Sequence, residues 1–319
     1  MQNFIKGLHH LTATVNDAQE DYDFYTQLLG LRLVKTTVNF DNNQVYHFYY
    51  GNKLGEPSTI MTTFPYKGQG VRDGVKGTGQ VMITSFSIAK EAIGFWKARF
   101  TEYNLAFTEV EKFGNPVLMF EDPSGLELEL VGNDHDARAP WSEGHISGEN
   151  AIKGLYAVTM SIKDVEPTYQ FLKETFGFIE VATEGNIKRF RSLNGGEAGT
   201  LLDVRNDADG ERGLNGLGTV HHVAFRIEKN EEQMQLREHL VNNLGLKVTE
   251  LKDRKYFQSI YFRIPGGVLF EVATIDPGFA IDEPVDHLGE ELKLPEWEEV
   301  NRTQIEANLP KIERKTQTV

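Results

Sequence analysis

The chain has 319 residues, 39 % of them hydrophobic, which is enough to bury a substantial core and excludes a disordered or collagen-like chain. A formal net charge of −14, from 33 Lys and Arg against 47 Asp and Glu, leaves no electrostatic footprint for nucleic acid or an anionic membrane and points to a small-molecule partner. The absence of cysteine removes disulfides, thiolate metal sites, iron–sulfur clusters and a thiol nucleophile, so any metal must be held by His and carboxylates.

The N-terminal residues enter a strand pattern around Phe4 without an apolar leader, and no run of eighteen apolar residues follows, so a cytoplasmic protein is expected. One pattern then recurs four times, over residues 5–64, 78–132, 153–205 and 219–274: a strand, an amphipathic helix, a glycine- or asparagine-marked stop, and further strands. Gly30, Gly177 and Gly245 follow the first, third and fourth helices, where a helix C′ position needs positive φ; a weaker copy spans 95–107. Three repeats end on an acid four residues past a glycine: Gly125 to Glu129, Gly199 to Asp203, and Gly267 to Glu271. The expected fold is α+β, with four βαβββ modules paired into two curved-sheet half-barrel domains. An N-terminal domain, 1–150, holds modules 1 and 2; a C-terminal domain, 151–319, holds modules 3 and 4 and an acidic tail with a short helix. The glycines between Gly68 and Gly79 lack the Lys-Ser/Thr of a phosphate loop and read as a linker.

Each curved sheet encloses a cup, and strand alternation decides which side chains enter it. In the first strand His10, Thr12 and Thr14 face the cup, while His9 goes with the apolar Leu11, Ala13 and Val15. In module 4, His222, Ala224 and Arg226 face it, with His221 in phase with Val223 and Phe225; in the last strand Glu271 lies opposite Val268, Phe270 and Val272. Two His and one carboxylate on concave strand faces form the ligand set of a mononuclear non-haem Fe(II) site with open positions, and an acid flanked by Phe270 and Val272 is costly to bury unless paired or metal-bound. Ser259, Tyr261 and Arg263 point to the cup from the strand before. His47 can line the cup, with core packing the favoured reading.

The stretches Gly7-Leu8-His9-His10-Leu11-Thr12, Leu54-Gly55-Glu56-Pro57, Met61-Thr62-Thr63-Phe64-Pro65 and Tyr261 to Glu271 resemble the vicinal oxygen chelate superfamily, and within it the hydroquinone-type ring-cleaving dioxygenases that include the dichlorohydroquinone 1,2-dioxygenases. The resemblance implies iron ligands at His10, His222 and Glu271, the same three that alternation selects. It implies an active-site tyrosine at Tyr261, Fe(II) with Mn(II) as the alternative metal, and a small aromatic substrate opened with O2. The stretch 253–256 is shorter than in the chlorohydroquinone enzymes, so the resemblance places no basic substrate-contacting residue there. Two other readings stand beside this one: a glyoxalase-like isomerase, which normally needs a fourth protein ligand where Met61-Thr62-Thr63 offers no acid, and a non-catalytic protein that sequesters a quinone or drug. The middle modules, with Glu129 and Asp203 but Ala157 in place of a His, are expected to hold no metal.

Overall fold

The computed structural model describes residues 3–196 and 198–315; residues 1, 2, 197 and 316–319 of the two expected halves lie outside the described residues. Module 1 contributes β1 (Leu8–Val15), α1 (Ala18–Asp23), β2 (Arg32–Asn39), β3 (Asn42–Gly51) and β4 (Ile60–Pro65). Module 2 contributes β5 (Gln80–Ile88), α2 (Ile93–Glu102), β6 (Phe107–Lys112), β7 (Asn115–Glu121) and β8 (Glu127–Gly132). Module 3 has β9 (Gly154–Ile162), α3 (Glu166–Glu174), β10 (Phe178–Glu184), β11 (Ile187–Ser192) and β12 (Leu201–Asn206). Module 4 has β13 (Thr219–Ile227), α4 (Asn230–Asn242), β14 (Lys252–Asp253), β15 (Gln258–Arg263) and β16 (Leu269–Thr274), and the tail carries α5 (Arg302–Asn308).

Local chemistry accounts for the helix ends. Asp17 caps α1 by accepting from the backbone N–H groups of Gln19 and Glu20 at 2.8 and 3.0 Å. Gly30, Gly177 and Gly245 hold φ near +68°, +64° and +63°, the left-handed turn that lets the chain leave the helix for the next strand.

The strands form two curved eight-stranded sheets, ordered β14-β15-β16-β13-β1-β4-β3-β2 and β10-β11-β12-β9-β5-β8-β7-β6. Modules 1 and 4 therefore share one sheet, joined antiparallel through β1 and β13, and modules 2 and 3 share the other through β5 and β9. Each sheet takes one module from each half of the sequence, so the halves 1–150 and 151–319 are divisions of the chain and not of the sheets. Between the convex faces lies one apolar core. Phe171 and Phe176, from the third module's helix and its end, pack 6.1 and 6.2 Å from Phe262 of the other sheet. Interdigitation of this kind ties the two sheets together, each buried ring contributing on the order of 2 kcal/mol.

The two joints between modules 1 and 4 are irregular in a way that strict alternation does not anticipate. Leu8 opposes Phe225 and His10 opposes Ala224, so His9 is an extra residue in β1; Thr12 opposes His222 and Ala13 opposes Val220, so His221 is an extra residue in β13. Each His-His pair thus sits on a β-bulge, which bends the strand and re-aims the side chain beside it.

The acidic tail is part of the fold. Leu292 bridges to Thr36 on β2, and Leu294, Ile305 and Leu309 cover Val38. Lys35 is fully buried and forms ion pairs with Asp282, at 2.6 Å, and with Glu283.

Candidate metal centre and cavity

The floor of the first cup is built from three strands. β1 supplies His10, β13 supplies His222 and β16 supplies Glu271, which are 2 %, 6 % and 0 % exposed. Their ligand atoms all lie within 4.8 Å of one another. Nε2 of His10 stands 3.2 Å from Oε2 of Glu271, and Nε2 of His222 stands 2.7 Å from the same oxygen. The structure brings together the three residues that alternation selected.

Hydrogen bonds behind these rings fix which nitrogen faces inward. His9 Nε2 contacts the carbonyl oxygen of Thr274 at 3.0 Å; a carbonyl only accepts, so His9 carries its proton there and presents Nδ1 as an acceptor. His10 Nδ1, 2.9 Å away, must then be the donor, which leaves the Nε2 lone pair directed at Glu271. His221 and His222 repeat the arrangement, with their Nδ1 atoms 2.7 Å apart. Burial first, and then the adjacent His10 or His222 ring, pushes both His9 and His221 down to about 3, so both are neutral as this relay requires. Burial likewise lowers His222.

Oε2 of Glu271 and Nε2 of His222 are buried and have no hydrogen-bond donor. Burial alone pushes the Glu271 carboxyl up, but the two imidazoles outweigh it and hold Glu271 well below the usual carboxylate range. Acceptors converging at such distances need a shared proton or a cation among them, and a two-nitrogen, one-carboxylate donor set suits a divalent transition metal. Glu271 Oε1 is occupied elsewhere, accepting from Ser259 Oγ.

Above this floor opens a cavity of about 540 Å³, which fits a single aromatic ring with room for a second small molecule. Tyr261, directly opposite Glu271 in the β15–β16 register, lines it with its ring 5.6 Å from that of His222. Burial and then the Glu271 charge push the Tyr261 phenol above its ordinary range, so it stays a hydroxyl. Phe64, Phe257 and Leu269 supply apolar walls.

Three features of the cavity depart from the sequence expectations. Arg254, in the stretch where no basic residue was placed, lines the cavity and donates from Nε to the Tyr261 hydroxyl at 3.1 Å, while Nη2 pairs with Asp41 at 3.2 Å across the mouth. Arg254 and Lys252, and neither Arg226 nor Arg263, bring positive charge to the cavity lining. His221 also reaches the cavity because of its bulge, and His47 lines it and is not confined to the core. The signals for these lay in long-range pairing: β3 and the β14–β15 turn meet only after the sheet curls.

The first sheet has an internal twofold relationship. Glu271 pairs with Ala224, two residues past His222, and Thr62 pairs with Thr12, two residues past His10, so Thr62 occupies the place in module 1 that Glu271 holds in module 4. The position that could complete a four-ligand set is a threonine.

The second cup contains no imidazole at the matching positions. Glu129 accepts from Ser85 Oγ at 2.7 Å and pairs with Lys112, while Asp203 takes both prongs of Arg189 at 2.8 and 2.7 Å. Each acid already has a cation.

No helix among the described residues is long and apolar enough to cross a membrane. A profile of the Glyoxalase/Bleomycin resistance protein/Dioxygenase superfamily matches residues 7–130 and 154–272. MhqO of Bacillus subtilis (strain 168), named as a candidate ring-cleaving dioxygenase, is 43 % identical over 303 residues, covering 95 % of each chain. The chlorohydroquinone/hydroquinone 1,2-dioxygenase of Sphingobium indicum is 37 % identical over 299 residues, covering 91 % of each chain. The crystal structure of a candidate dioxygenase from Bacillus subtilis superposes with a TM-score of 0.93 at 42 % identity, over 99 % of this chain and all of that one (100 %). Glyoxalase I from Zea mays, at 14 % identity and a TM-score of 0.62 over 84 % of this chain and 92 % of its own, shares the fold. The two curved sheets, the modular repeat and these matches agree: the chain belongs to the Glyoxalase/Bleomycin resistance protein/Dioxygenase superfamily.

Proposed function

We propose that this protein is a metal-dependent ring-cleaving dioxygenase that opens a hydroquinone-type aromatic ring with O2, with His10, His222 and Glu271 as ligands of Fe(II), or alternatively Mn(II). The observation that carries the reading is the convergence of three buried ligand atoms, two of them without a hydrogen-bond partner, on the floor of a cavity sized for one aromatic ring. Relatives named for ring cleavage, one of them for chlorohydroquinone and hydroquinone, supply the substrate class.

When bound, the metal supplies Lewis acidity toward a phenolic oxygen and redox contact with O2. The apolar walls from Phe64, Phe257 and Leu269 hold the ring and exclude water. Arg254 offsets the negative charge that develops as a phenol loses its proton, and its contact with Tyr261 fixes where the phenol of that tyrosine points. Tyr261, kept protonated, is placed to donate to an oxygen of the reacting molecule. His221, with Nδ1 accepting from His222, keeps Nε2–H free to donate to the cavity's occupant. Thr62 at the fourth position favours the dioxygenase over an isomerase.

Anaerobic reconstitution with Fe(II) or Mn(II), followed by oxygen-uptake measurements with hydroquinone, methylhydroquinone, chlorohydroquinone and catechol, tests the proposal. Oxygen uptake with a ring-opened product from a hydroquinone is expected. Rapid uptake with catechol and none with any hydroquinone overturns the substrate class; no uptake with any of them overturns the activity.

A further inference from the structure

The half of the cup that module 1 supplies carries a hydrogen-bonded chain that the ligand set does not use. The Tyr49 hydroxyl lies 2.9 Å from Nδ1 of His47, Nε2 of His47 lies 3.0 Å from Oγ1 of Thr62, and Oγ1 of Thr62 lies 2.9 Å from Oγ1 of Thr12. His47 packs against Tyr49 with ring centroids 4.1 Å apart and the rings tilted by 37°, which holds the imidazole in place. Tyr49, His47 and Thr12 line the cavity and Thr62 does not, although Thr12 and Thr62 are both fully buried.

This chain stands where the twofold relationship puts the acid cluster of the other half. Tyr49 pairs with Thr62 as Tyr261 pairs with Glu271, and His47 sits two residues before Tyr49 as Ser259 sits two before Tyr261. Module 4 uses these positions for a ligand carboxylate and the serine that anchors it. Module 1 uses them for a neutral relay.

The relay has a direction. A phenol is a stronger donor and a weaker acceptor than an alcohol, so Tyr49 donates to His47 Nδ1. The imidazole then carries its proton on Nε2 and donates to Thr62, and Thr62, with an oxygen already accepting, donates to Thr12. The Thr12 hydroxyl hydrogen is left with no acceptor among the described residues and has the cavity beside it. Burial, and then the nearby His10, holds His47 well below its ordinary range, so the ring is neutral and has one donor and one acceptor nitrogen.

We propose that His47 is a positioning residue that, through Thr62, locks the Thr12 hydroxyl as a hydrogen-bond donor into the cavity, where it binds an oxygen substituent of the aromatic substrate. The inference rests on the proposed function for the identity of that substrate as an oxygenated ring. It assigns to module 1 a polar subsite opposite the Arg254 and Tyr261 side of the cup. A donor there selects rings with an acceptor oxygen over equally shaped hydrocarbons.

The test uses the full chain loaded with diamagnetic Zn(II). Imidazole ¹⁵N resonances report the His47 tautomer, and anaerobic titration with hydroquinone and with toluene reports the subsite. Expected are an Nε2–H tautomer at His47 and hydroquinone binding weakened about fivefold to tenfold in Thr12→Val and in Thr62→Val, with toluene binding unchanged. Both substitutions keep shape and volume, and Thr62→Val touches no cavity surface, so its effect on affinity reads the relay and not a lost contact. His47→Phe should match Thr62→Val; the valine variants carry the test if that protein does not fold. An Nδ1–H tautomer, or hydroquinone affinity indifferent to both valine substitutions, overturns the inference. If the wild-type protein binds and turns over hydroquinone while the variants are unaltered, only the inference fails; if the wild type binds no hydroquinone, the proposed function fails with it.

Discussion

The Nδ1 atoms of His221 and His222 lie 2.7 Å apart, although the two residues are neighbours on a strand whose side chains should point to opposite faces. The bulge at His221 makes the contact, and the contact turns the Nε2 atom of His222 toward Glu271. His222→Ala is expected to empty the site. His221→Ala leaves all three ligands but frees the His222 ring, and metal affinity should fall about 10- to 100-fold, the usual effect of losing a ligand's orienting partner. Competition against a chelator, read on both purified variants, separates the two. Equal retention in both would remove the assigned roles.

Metal stoichiometry should be one ion per chain. Lys112 and Arg189 already neutralise Glu129 and Asp203 in the second cup, and no imidazole stands beside them. Lys112→Met would free Glu129 but supply no nitrogen ligand, so the count should remain one in that variant too. Elemental analysis after gel filtration measures it, and two tightly held ions per wild-type chain would contradict it.

The candidate ligands are legible in the sequence because alternation holds on one side of each of them: Leu11 and Thr12 after His10 and Val223 and Ala224 after His222 pair in step, and Glu271 lies in unbroken register with Ala224. His9 and His221 were misread as members of the apolar face because a bulge inserts one residue, and nothing in a local pattern of two marks an insertion. Arg254 escaped for a different reason. It follows a two-residue strand, β14, and meets its partner Asp41 across more than two hundred residues of chain. The aromatic neighbours of His47 favour core packing over the cup that it can also line; only the curl of β3 over the floor distinguishes a cavity wall from a core face. The pairing of module 1 with module 4 has the same character, being a property of sheet closure.

Tyr261→Phe should keep the fold and one metal ion while lowering turnover at least tenfold, a threshold set below the ~10²- to 10⁴-fold that a positioned proton donor contributes. The ring's contact with His222 survives the substitution, and Arg254 retains Asp41. Single-turnover rates under saturating substrate isolate the effect from binding. Wild-type turnover in the variant would reduce Tyr261 to a wall of the cavity.

The contribution of Asp21 to stability should fall as pH rises from about 4 to about 8. Its carboxyl lies in the core behind β3, where Oδ2 accepts from Tyr50 at 2.7 Å and Thr63 at 2.6 Å while Oδ1 has no partner. Burial pushes Asp21 from 3.8 to about 8, the two hydrogen bonds offsetting only part of the shift. The folded protein thus holds a proton that the unfolded chain releases above 3.8, so between these values the native state binds more protons and stability declines with each step upward. The contribution is complete below 3.8 and gone above about 8. Asp122, raised to about 6 chiefly by burial, adds to the same trend over the lower part of the window. Asp21→Asn removes the titration and keeps the shape. Wild-type protein should lose roughly 5 °C or more of Tm relative to the variant between pH 5 and pH 8.5, since one pKa unit is worth about 1.4 kcal/mol and 1 kcal/mol moves Tm by about 2–4 °C in chains of 150–250 residues. Calorimetry on both proteins across that range checks it, and parallel Tm curves would show that Asp21 is ionised in the folded state.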